Sequence, residues 1–590
     1  MAAPSPTQLA NVPPTWAISA NGSPLDSAIQ VVSIDVWTGV NRLPRARLVI
    51  TDGSAADETF PISETAALIP GAALTIALGY GSTQTQIFSG VIQRHGLEAN
   101  VNSPSLLVVE ATDKAMAMTL ARSNAVFQNI TDSALCQKLI GNVSGLTAKV
   151  SSTSVQHEAI VQYYATDWDL MVMRAEASGM VVTVADATVT VAAPNTSGSA
   201  VLTLTWGHDI LDFKGEIDAA TQLSAGAIKS FAWDPATQKL LQSSTPSSSV
   251  STPGNLSSST LAGVFGVTSY NQQSSGALLD SELTDWSSAE LLKSLLAKLR
   301  GEVRFPGSAL AVPGCMVTLA GLGARFNGDA WVSGVHHHLE GGWWRTTCEL
   351  GLAPGWFAAS AAQITAPGAS GQLPPANNIM VGTVKQIDSD PDGEYRVLVT
   401  LPLLQATDGV WARFGSFYAS NGIGSNFYPE IGDEVVVAFL SGDPRYPVVL
   451  GSLYSKANPP PYPPVTGGPG APNDIKSFTT KAKMRINFTE SDPSILVTTP
   501  ASQSIKIDDK NKNIVVTDVT GNTITMSESG IKIDSPKDIT ISASGSISMS
   551  AGTSFDIKAG TSLSTKASTS TQVNCDGPIQ IKGATVALNP

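Results

Sequence analysis

The last sixty residues of the chain repeat with a period of eight. From residue 531 they read IKIDSPKD, ITISASGS, ISMSAGTS, FDIKAGTS, LSTKASTS, TQVNCDGP, IQIKGATV and ALNP. Apolar residues occupy the first and third places of most units, and Gly, Ser, Asn, Asp or Pro close each unit. Successive side chains of extended backbone point to opposite faces, and the closing residues favour turns. The pattern therefore predicts one short strand and one corner in every unit.

A single unit has too few apolar side chains to enclose a core. A solenoid wound from one chain needs roughly 20 residues per coil, so a unit of eight supplies only one side of a triangular coil. We therefore predict an intertwined, homotrimeric β-helix, a stiff needle over residues 475–590. A low-complexity Ser/Thr tail is the alternative, but such tails lack large apolar residues in a fixed register. The residues predicted to fill the needle core are Ile531, Ile533, Ile539, Ile541, Ile547, Met549, Phe555, Ile557, Leu563, Val573, Ile579 and Ile581.

The composition narrows the class of protein. Charged residues make up only 14% of the 590 residues, well below the usual quarter, as expected for a β-rich assembly. The net charge of −13 argues against a nucleic-acid partner, because phosphate binding needs clusters of Lys and Arg. The N-terminus lacks the pattern of a signal peptide, and no run of eighteen apolar residues occurs. We expect synthesis in the cytoplasm.

Strand-like alternation and helix signals predict a mainly β chain of several domains. Residues 1–115 alternate as in a first β-barrel. Residues 116–365 hold helices after Thr131 and Thr166, a third helix from Ser287, and a second barrel. Within that region we expect the Ser-rich segment 242–275 to be an exposed insertion without a core. A linker (366–378) leads to five strands of an OB-like barrel (379–455), and a Pro-rich linker (456–474) precedes the needle.

The sequence offers one cluster that could hold a metal, the run from His336 to His338. In a strand His336, His338 and Glu340 would share a face. No second acidic or Cys ligand lies close by in the sequence, so packed or solvated histidines are favoured over a metal site. His95, His157 and His208 stand alone, and no catalytic motif is present. We therefore expect no catalytic, cofactor-binding or metal-binding residues and no enzymatic activity.

Six stretches resemble one known family. They are VNRLPRARLVITDG (40–53), IPGAALTIALGYG (69–81), IFSGVI (87–92), TDWDLMVMRAEASGM with its Arg174 and Glu176 pair, RFPGSALAVPGCMVTLAGLGARFNG (304–328) and FYPEIGDEVVVAFLSGDPRYPVVLGSLY (427–454). With the order of the predicted domains, the chain resembles the hub-and-spike proteins of contractile injection systems. That family includes the VgrG proteins of type VI secretion and the spikes of phage tails and of extracellular injection systems. In its first barrel and its short length, the chain resembles the spikes of the extracellular, phage-like systems more than typical type VI spikes.

The resemblance implies a structural spike that acts outside the cell as part of an assembled particle. It implies a homotrimer whose two hub barrels per chain match a hexameric tube protein, with baseplate components around it and effector cargo as a further partner. The OB collar would lead to the needle, whose end at Val586, Leu588 and Pro590 would seat a PAAR-type tip protein. A membrane would be met only as the pierced target. The alternatives are a trimeric fibre or adhesin with receptor- or glycan-binding barrels, and a wall-degrading enzyme, which the absence of a lysozyme insert disfavours.

Overall fold

The computed structural model describes residues 3–8, 12–361, 364–404, 408–463 and 473–587. It divides into two compact units, unit 1 over residues 1–378 and 439–446, and unit 2 over residues 379–438 and 447–590. Within the described residues, no helix is long and apolar enough to cross a membrane. The expected mainly β fold with an OB barrel is confirmed.

The strands of unit 1 are β1 (Pro14–Ala20), β2 (Ser23–Pro24), β3 (Val31–Gly39), β4 (Arg42–Thr51), β5 (Ala73–Tyr80), β6 (Thr83–Asn100), β7 (Ser103–Thr112), β8 (Arg122–Thr131), β9 (Thr147–Val150), β10 (Gln156–Thr166), β11 (Val181–Ala185), β12 (Thr188–Ala192), β13 (Ala200–Thr205), β14 (Asp212–Ile217), β15 (Ile228–Asp234), β16 (Lys239–Gln242), β17 (Tyr270–Ser274), β18 (Leu299–Pro306), β19 (Met316–Ala320), β20 (Gly328–Glu340) and β21 (Trp343–Leu350). Its α-helices are α1 (Asp132–Gly141), α2 (Asp167–Ala177), α3 (Ser258–Phe265), α4 (Asp280–Leu296) and α5 (Phe357–Ser360).

One large sheet organises unit 1. Among the described residues thirteen strands share it, in the order β14-β18-β21-β20-β3-β4-β7-β6-β5-β1-β2, with β19 bonded to β20 and β13 to β19. One apolar core lies under β1 and β3–β7, and another under β13 and β18–β21. Antiparallel pairing of β20 with β3 joins the strands of the two regions that were expected to form the hub barrels into one sheet.

Local capping signals position the first two helices as predicted. Thr131 and Thr166 occupy the N-caps of α1 and α2, where their side chains accept hydrogen bonds from the backbone N–H groups of Ala134 and Asp169. Helix α4 begins at Asp280, not at Ser287 as expected. The earlier turn places Leu283 in the interior, and the acidic residues of that turn suit the positive end of the helix dipole.

The Ser-rich segment 242–275 is folded, so the expectation of a coreless insertion was wrong. It contains α3, which buries Leu261, and β17, which pairs with β15 in parallel. The hydroxyl of Ser230 on β15 donates to Gln272 Oε1 at 2.7 Å, and both residues are buried. Short hydroxyl side chains here satisfy backbone and side-chain partners, so that few apolar residues suffice to order the segment.

A buried ionic network packs α1 against α2. Arg174 Nε donates to Asp132 Oδ1 at 2.6 Å, and the hydroxyl of Ser178 donates to Asp132 Oδ2 at 2.8 Å. Burial alone would raise the pKa of Asp132, but these hydrogen bonds outweigh burial and hold the pKa below its ordinary value. His157 does not stand alone, because its two ring nitrogens lie 3.1 Å from carboxylate oxygens of Asp132 and Glu282.

The second member of the Arg174 and Glu176 pair connects α2 to other helices. Lys293 on α4 donates to Glu176 Oε1 at 2.8 Å, and both side chains are almost fully buried. The backbone N–H of Phe357, at the start of α5, donates to Glu176 Oε2 at 2.7 Å. Arg174 and Glu176 of α2 therefore contact three other helices of unit 1.

The strands of unit 2 are β22 (Met380–Gln386), β23 (Val397–Thr400), β24 (Val410–Phe414), β25 (Ala419–Ser420), β26 (Ile423–Gly424), β27 (Glu434–Phe439), β28 (Pro447–Ser452), β29 (Ile475–Thr479), β30 (Arg485–Thr489), β31 (Ser494–Thr498), β32 (Ser504–Asp508), β33 (Asn513–Thr517), β34 (Thr523–Ser527) and β35 (Gly530–Asp534). The first part is a closed barrel in the order β22-β23-β24-β28-β27, around buried valines that include Val384, Val399 and Val435. The second part, β29–β35, is a seven-stranded antiparallel meander.

Replacing Asp132 by Asn should destabilise the α1–α2 region by about 3–5 kcal/mol, because the buried Arg174 guanidinium loses its ionised partner. Hydrogen exchange of α1 and α2 amides, corrected for intrinsic rates, measures the loss. In the wild type the folded pKa of Asp132 is lower than the unfolded one. The stabilisation is therefore fully present above about pH 4 and is lost as pH falls through the folded pKa.

Asp57→Asn, at an exposed loop position, is the matched control and should exchange like the wild type. Unchanged protection of α1 and α2 in Asp132→Asn would contradict the role of the ion pair.

Candidate functional site

The meander of unit 2 presents one face made of apolar side chains. The cross-strand register aligns these side chains in two ladders that run over the strands from β29 or β30 to β35. The first ladder is Phe478, Ile486, Val497, Ile505, Val516, Ile524 and Ile533; the second is Phe488, Ile495, Ile507, Ile514, Met526 and Ile531. We call this surface the ladder face.

The ladder face is open in the single chain. Ile505 is 46% exposed and Ile524 is 41% exposed, although each has apolar neighbours on both sides within its ladder. On the opposite face, Lys506 and Thr525 are half-buried. Contiguous exposed apolar surface of this extent marks an interaction site in a folded protein. Covering it would stabilise the assembly by up to roughly 1.5–3 kcal/mol for each side chain that becomes fully buried.

The sequence pattern explains why each strand turns its apolar side chains the same way. Strands begin at residues 475, 485, 494, 504, 513, 523 and 530, and the two ladder residues of each strand after β29 stand two places apart. Three further apolar residues, Ile475, Leu496 and Val515, fall on the opposite face. Turns rich in Asp, Asn, Lys, Ser and Gly reverse the chain between strands. Because a one-residue slip would move every apolar side chain to the other face, the turns fix the ladders.

The first unit of the octapeptide repeat lies on β35, and the later units lie after that strand. Ile531 and Ile533 lie on β35, where they end the two ladders. After β35, the described residues to 587 contain no strand. The ten other predicted core residues lie in this segment with 50–72% of their surface exposed, and they are Ile539, Ile541, Ile547, Met549, Phe555, Ile557, Leu563, Val573, Ile579 and Ile581.

The predicted tip-binding residues are only partly described. Val586 is 49% exposed. Leu588 and Pro590 lie outside the described residues. We call residues 535–587 the tail segment. Its apolar side chains, like those of the ladder face, have large exposed surfaces in the single chain.

Unit 1 brings a carboxylate that sequence reasoning missed next to two histidines that it had singled out. His336 and His338 share a face of β20, as expected, and both contact Asp35 on β3. We expected no acidic ligand nearby other than Glu340. Asp35 is 301 residues from His336 in the chain, so only the pairing of β3 with β20 reveals it. Burial would raise the pKa of Asp35, but hydrogen bonds from the two imidazoles leave that pKa below its ordinary value.

Two family models match most of the chain. Residues 11–341 match the family model of the Alg8 N-terminal domain, which is more than half of the 590 residues. The chain belongs to the Alg8 N-terminal domain family. In this Alg8-family chain, residues 380–454 also match the model of the type VI secretion system/phage-baseplate injector OB domain, and these residues form the closed barrel of unit 2.

Shorter segments resemble known spike proteins. A segment of 52 residues is 48% identical to the type VI secretion system spike protein VgrG4b of Pseudomonas aeruginosa and covers 9% of this chain and 6% of that protein. A segment of 99 residues is 33% identical to the actin cross-linking toxin VgrG1 of Vibrio cholerae and covers 15% of this chain and 9% of the toxin. The chain thus matches less than a tenth of the length of either relative.

A solved E. coli structure, of the c3393 protein, covers 74% of this chain and 99% of its own, with a TM-score of 0.38 and 14% identity. That protein is described as a component of the type VI secretion system with structural similarity to the T4 bacteriophage tail proteins gp27 and gp5. The expected resemblance of the Alg8-family chain to VgrG-like spike proteins is confirmed by the injector OB domain and the VgrG segments.

Replacing Ile524 by Asp should weaken self-association of the full chain, because a charge would enter the centre of the ladder face. Multi-angle light scattering over a concentration series measures the change. Thr525→Asp introduces the same charge one residue away on the opposite face and should associate like the wild type. Equal association of Ile524→Asp and Thr525→Asp would show that the ladder face is not the contact surface.

Proposed function

We propose that this chain is the structural spike of a contractile injection machine, and that it acts as a homotrimer. The observation that carries the proposal is the open ladder face, which follows directly after the injector OB domain along the chain. A spike needs an axial body that resists load. The apolar side chains of the ladder face would pack against those of other copies of the chain.

Three copies are the simplest assembly that would bury the ladder face. A sheet with one apolar face can bury that face in a prism of three sheets around an axis. The meander already pairs its strands within the chain, so closing the prism needs only side-chain packing. The tail segment differs, because its backbone has no strand partner among the described residues of the single chain. Interleaving with two other copies would pair its backbone groups and bury its apolar residues, leaving no open edge along the needle.

The finer parts of the proposal concern the partners. Unit 1 would dock onto a hexameric tube protein within the baseplate, and effector cargo would travel with the particle. The C-terminal residues from Val586 would seat a PAAR-type tip. On contraction the needle would pierce a target envelope outside the producing cell. Support comes from the VgrG-like segments and the injector OB family, whose description names both type VI secretion and phage baseplates.

A mechanical role fits this chain better than a catalytic one. The function requires rigid pairing and apolar closure, which the meander and its ladders provide. The similarity to the actin cross-linking toxin extends over 99 residues, 9% of that protein, and includes no more of it.

The needle can be tested by placing charges in its predicted interior. Replacing Ile541 and Ile557 together by Asp puts two carboxylates per chain where the proposal has apolar packing, at a cost of several kcal/mol for each buried charge. We expect the wild type to run as an SDS-resistant trimer and this double variant to run as a monomer. Thr540→Asp with Ser542→Asp, at alternate positions, is the control and should remain trimeric. A trimer that survives both changes equally would refute the inward assignment.

The tip seat is tested separately. Deleting residues 586–590 should abolish capture of a PAAR-type tip protein, because the flat end of the needle would lose its apolar contacts. The SDS-resistant trimer should persist, since the deleted residues lie beyond the last predicted core residue, Ile581. Retained capture by the shortened chain would place the tip elsewhere, whereas failure of the wild type to form a trimer would overturn the spike itself.

A further inference from the structure

The pairing of β3 with β20 builds a compact group of three possible ligands. His338 lies directly opposite Asp35 in the register, and His336 lies opposite Trp37, two residues further along the same face. His336 Nε2 is 2.8 Å and His338 Nδ1 is 2.7 Å from the same atom, Asp35 Oδ1. The ligand atoms of the three residues all lie within 4.8 Å of one another. Two imidazoles from one strand and a carboxylate from the next therefore converge on one point.

We propose that Asp35, His336 and His338 bind a divalent transition-metal ion of the Zn²⁺ class. Two imidazole nitrogens and one carboxylate oxygen are a donor set that suits zinc and its neighbours, whereas Mg²⁺ and Ca²⁺ prefer oxygen ligands throughout. Zinc bonds of about 2.0–2.2 Å place tetrahedral ligands roughly 3.3–3.5 Å apart. The two imidazole nitrogens, now 2.8 and 2.7 Å from Asp35 Oδ1, need to move away from that oxygen by about half an ångström or slightly more to reach this spacing.

Both neutral imidazoles can bind an ion without losing a proton. A carboxylate oxygen can only accept a hydrogen bond, so the contacts with ionised Asp35 require a ring proton on the nitrogen that faces it. When the ion takes that place, the proton moves to the other ring nitrogen. For His338 that nitrogen is Nε2, and it lies 3.4 Å from Glu340 Oε2. Glu340 can therefore hold the metal-binding tautomer of His338, as carboxylates commonly do behind metal-bound histidines.

The surroundings hold the ligands in place and leave a way in. The ring of Trp37 stacks on His336 with centroids 4.7 Å apart and planes 11° apart, and the Arg45 guanidinium lies 4.4 Å from the Trp37 centroid. Asp35 is buried, but the side chains of His336 and His338 are 33% and 27% exposed. An ion can thus reach the ligands from solvent, and a water molecule can complete its coordination.

The test uses the full-length chain without a histidine tag. After treatment with EDTA it is dialysed against Zn²⁺, and bound zinc is counted by mass spectrometry. We expect one Zn²⁺ per wild-type chain, and loss of that ion in Asp35→Asn and in His338→Asn. His208→Asn, which removes an exposed histidine elsewhere in unit 1, should bind like the wild type. Absence of zinc from the wild type, or equal zinc in Asp35→Asn and wild type, would overturn the proposal.

Two further measurements distinguish loss of a ligand from misfolding of a variant. In Glu340→Gln all three ligands remain, and we expect zinc affinity to fall about 10–100-fold, as when partners behind a ligand are removed. X-ray absorption of the Co²⁺-loaded wild type should show two imidazole ligands at one site. A cobalt shell without imidazole would overturn the proposal, even if every variant had lost zinc.

Discussion

The antiparallel pairing of β3 with β20 is the contact on which unit 1 depends. It joins residues about 300 positions apart in the chain, from Gly334 opposite Gly39 to Glu340 opposite Ser33. Without it the strands of the two apolar cores would form separate sheets, each with an open edge. With it, the hydrogen-bonded ladder runs continuously from β14 to β2. The same register sets Asp35 beside His336 and His338, so one pairing accounts for both the architecture and the proposed metal site.

Unit 2 contains three parts that differ in how far the single chain satisfies their backbone and apolar groups. The barrel closes on itself around its own valines. The meander closes its backbone hydrogen bonds but leaves its ladder face uncovered, and the tail segment leaves both backbone and side chains without strand partners in the single chain. Under the proposed trimer, an increasing share of the stabilisation would come from other copies from the barrel to the tail.

The sequence predicted well those features that depend on residues close together in the chain. The N-caps at Thr131 and Thr166 depend on residues three positions apart, and the barrel strands carry their own alternation. The folded part of the Ser-rich segment was missed, because its order depends on β15, which is remote from β17 in the chain. The Asp35 ligand was missed for the same reason. Residues 475–530 were assigned to the needle, whereas in the structure their strands pair with one another in an antiparallel meander, through turns of two to five residues that reverse the chain.

The uncovered ladder face also links folding to expression. A region whose apolar side chains are buried only by other copies has no fixed stability of its own, because its folded population rises with the local concentration of the chain. Three copies translated close together on one messenger RNA meet at far higher effective concentration than three that diffuse through a cell. Under the proposed assembly, the yield of finished spikes would then depend on how densely ribosomes load that message, and sparse expression would leave more chains with an uncovered ladder face.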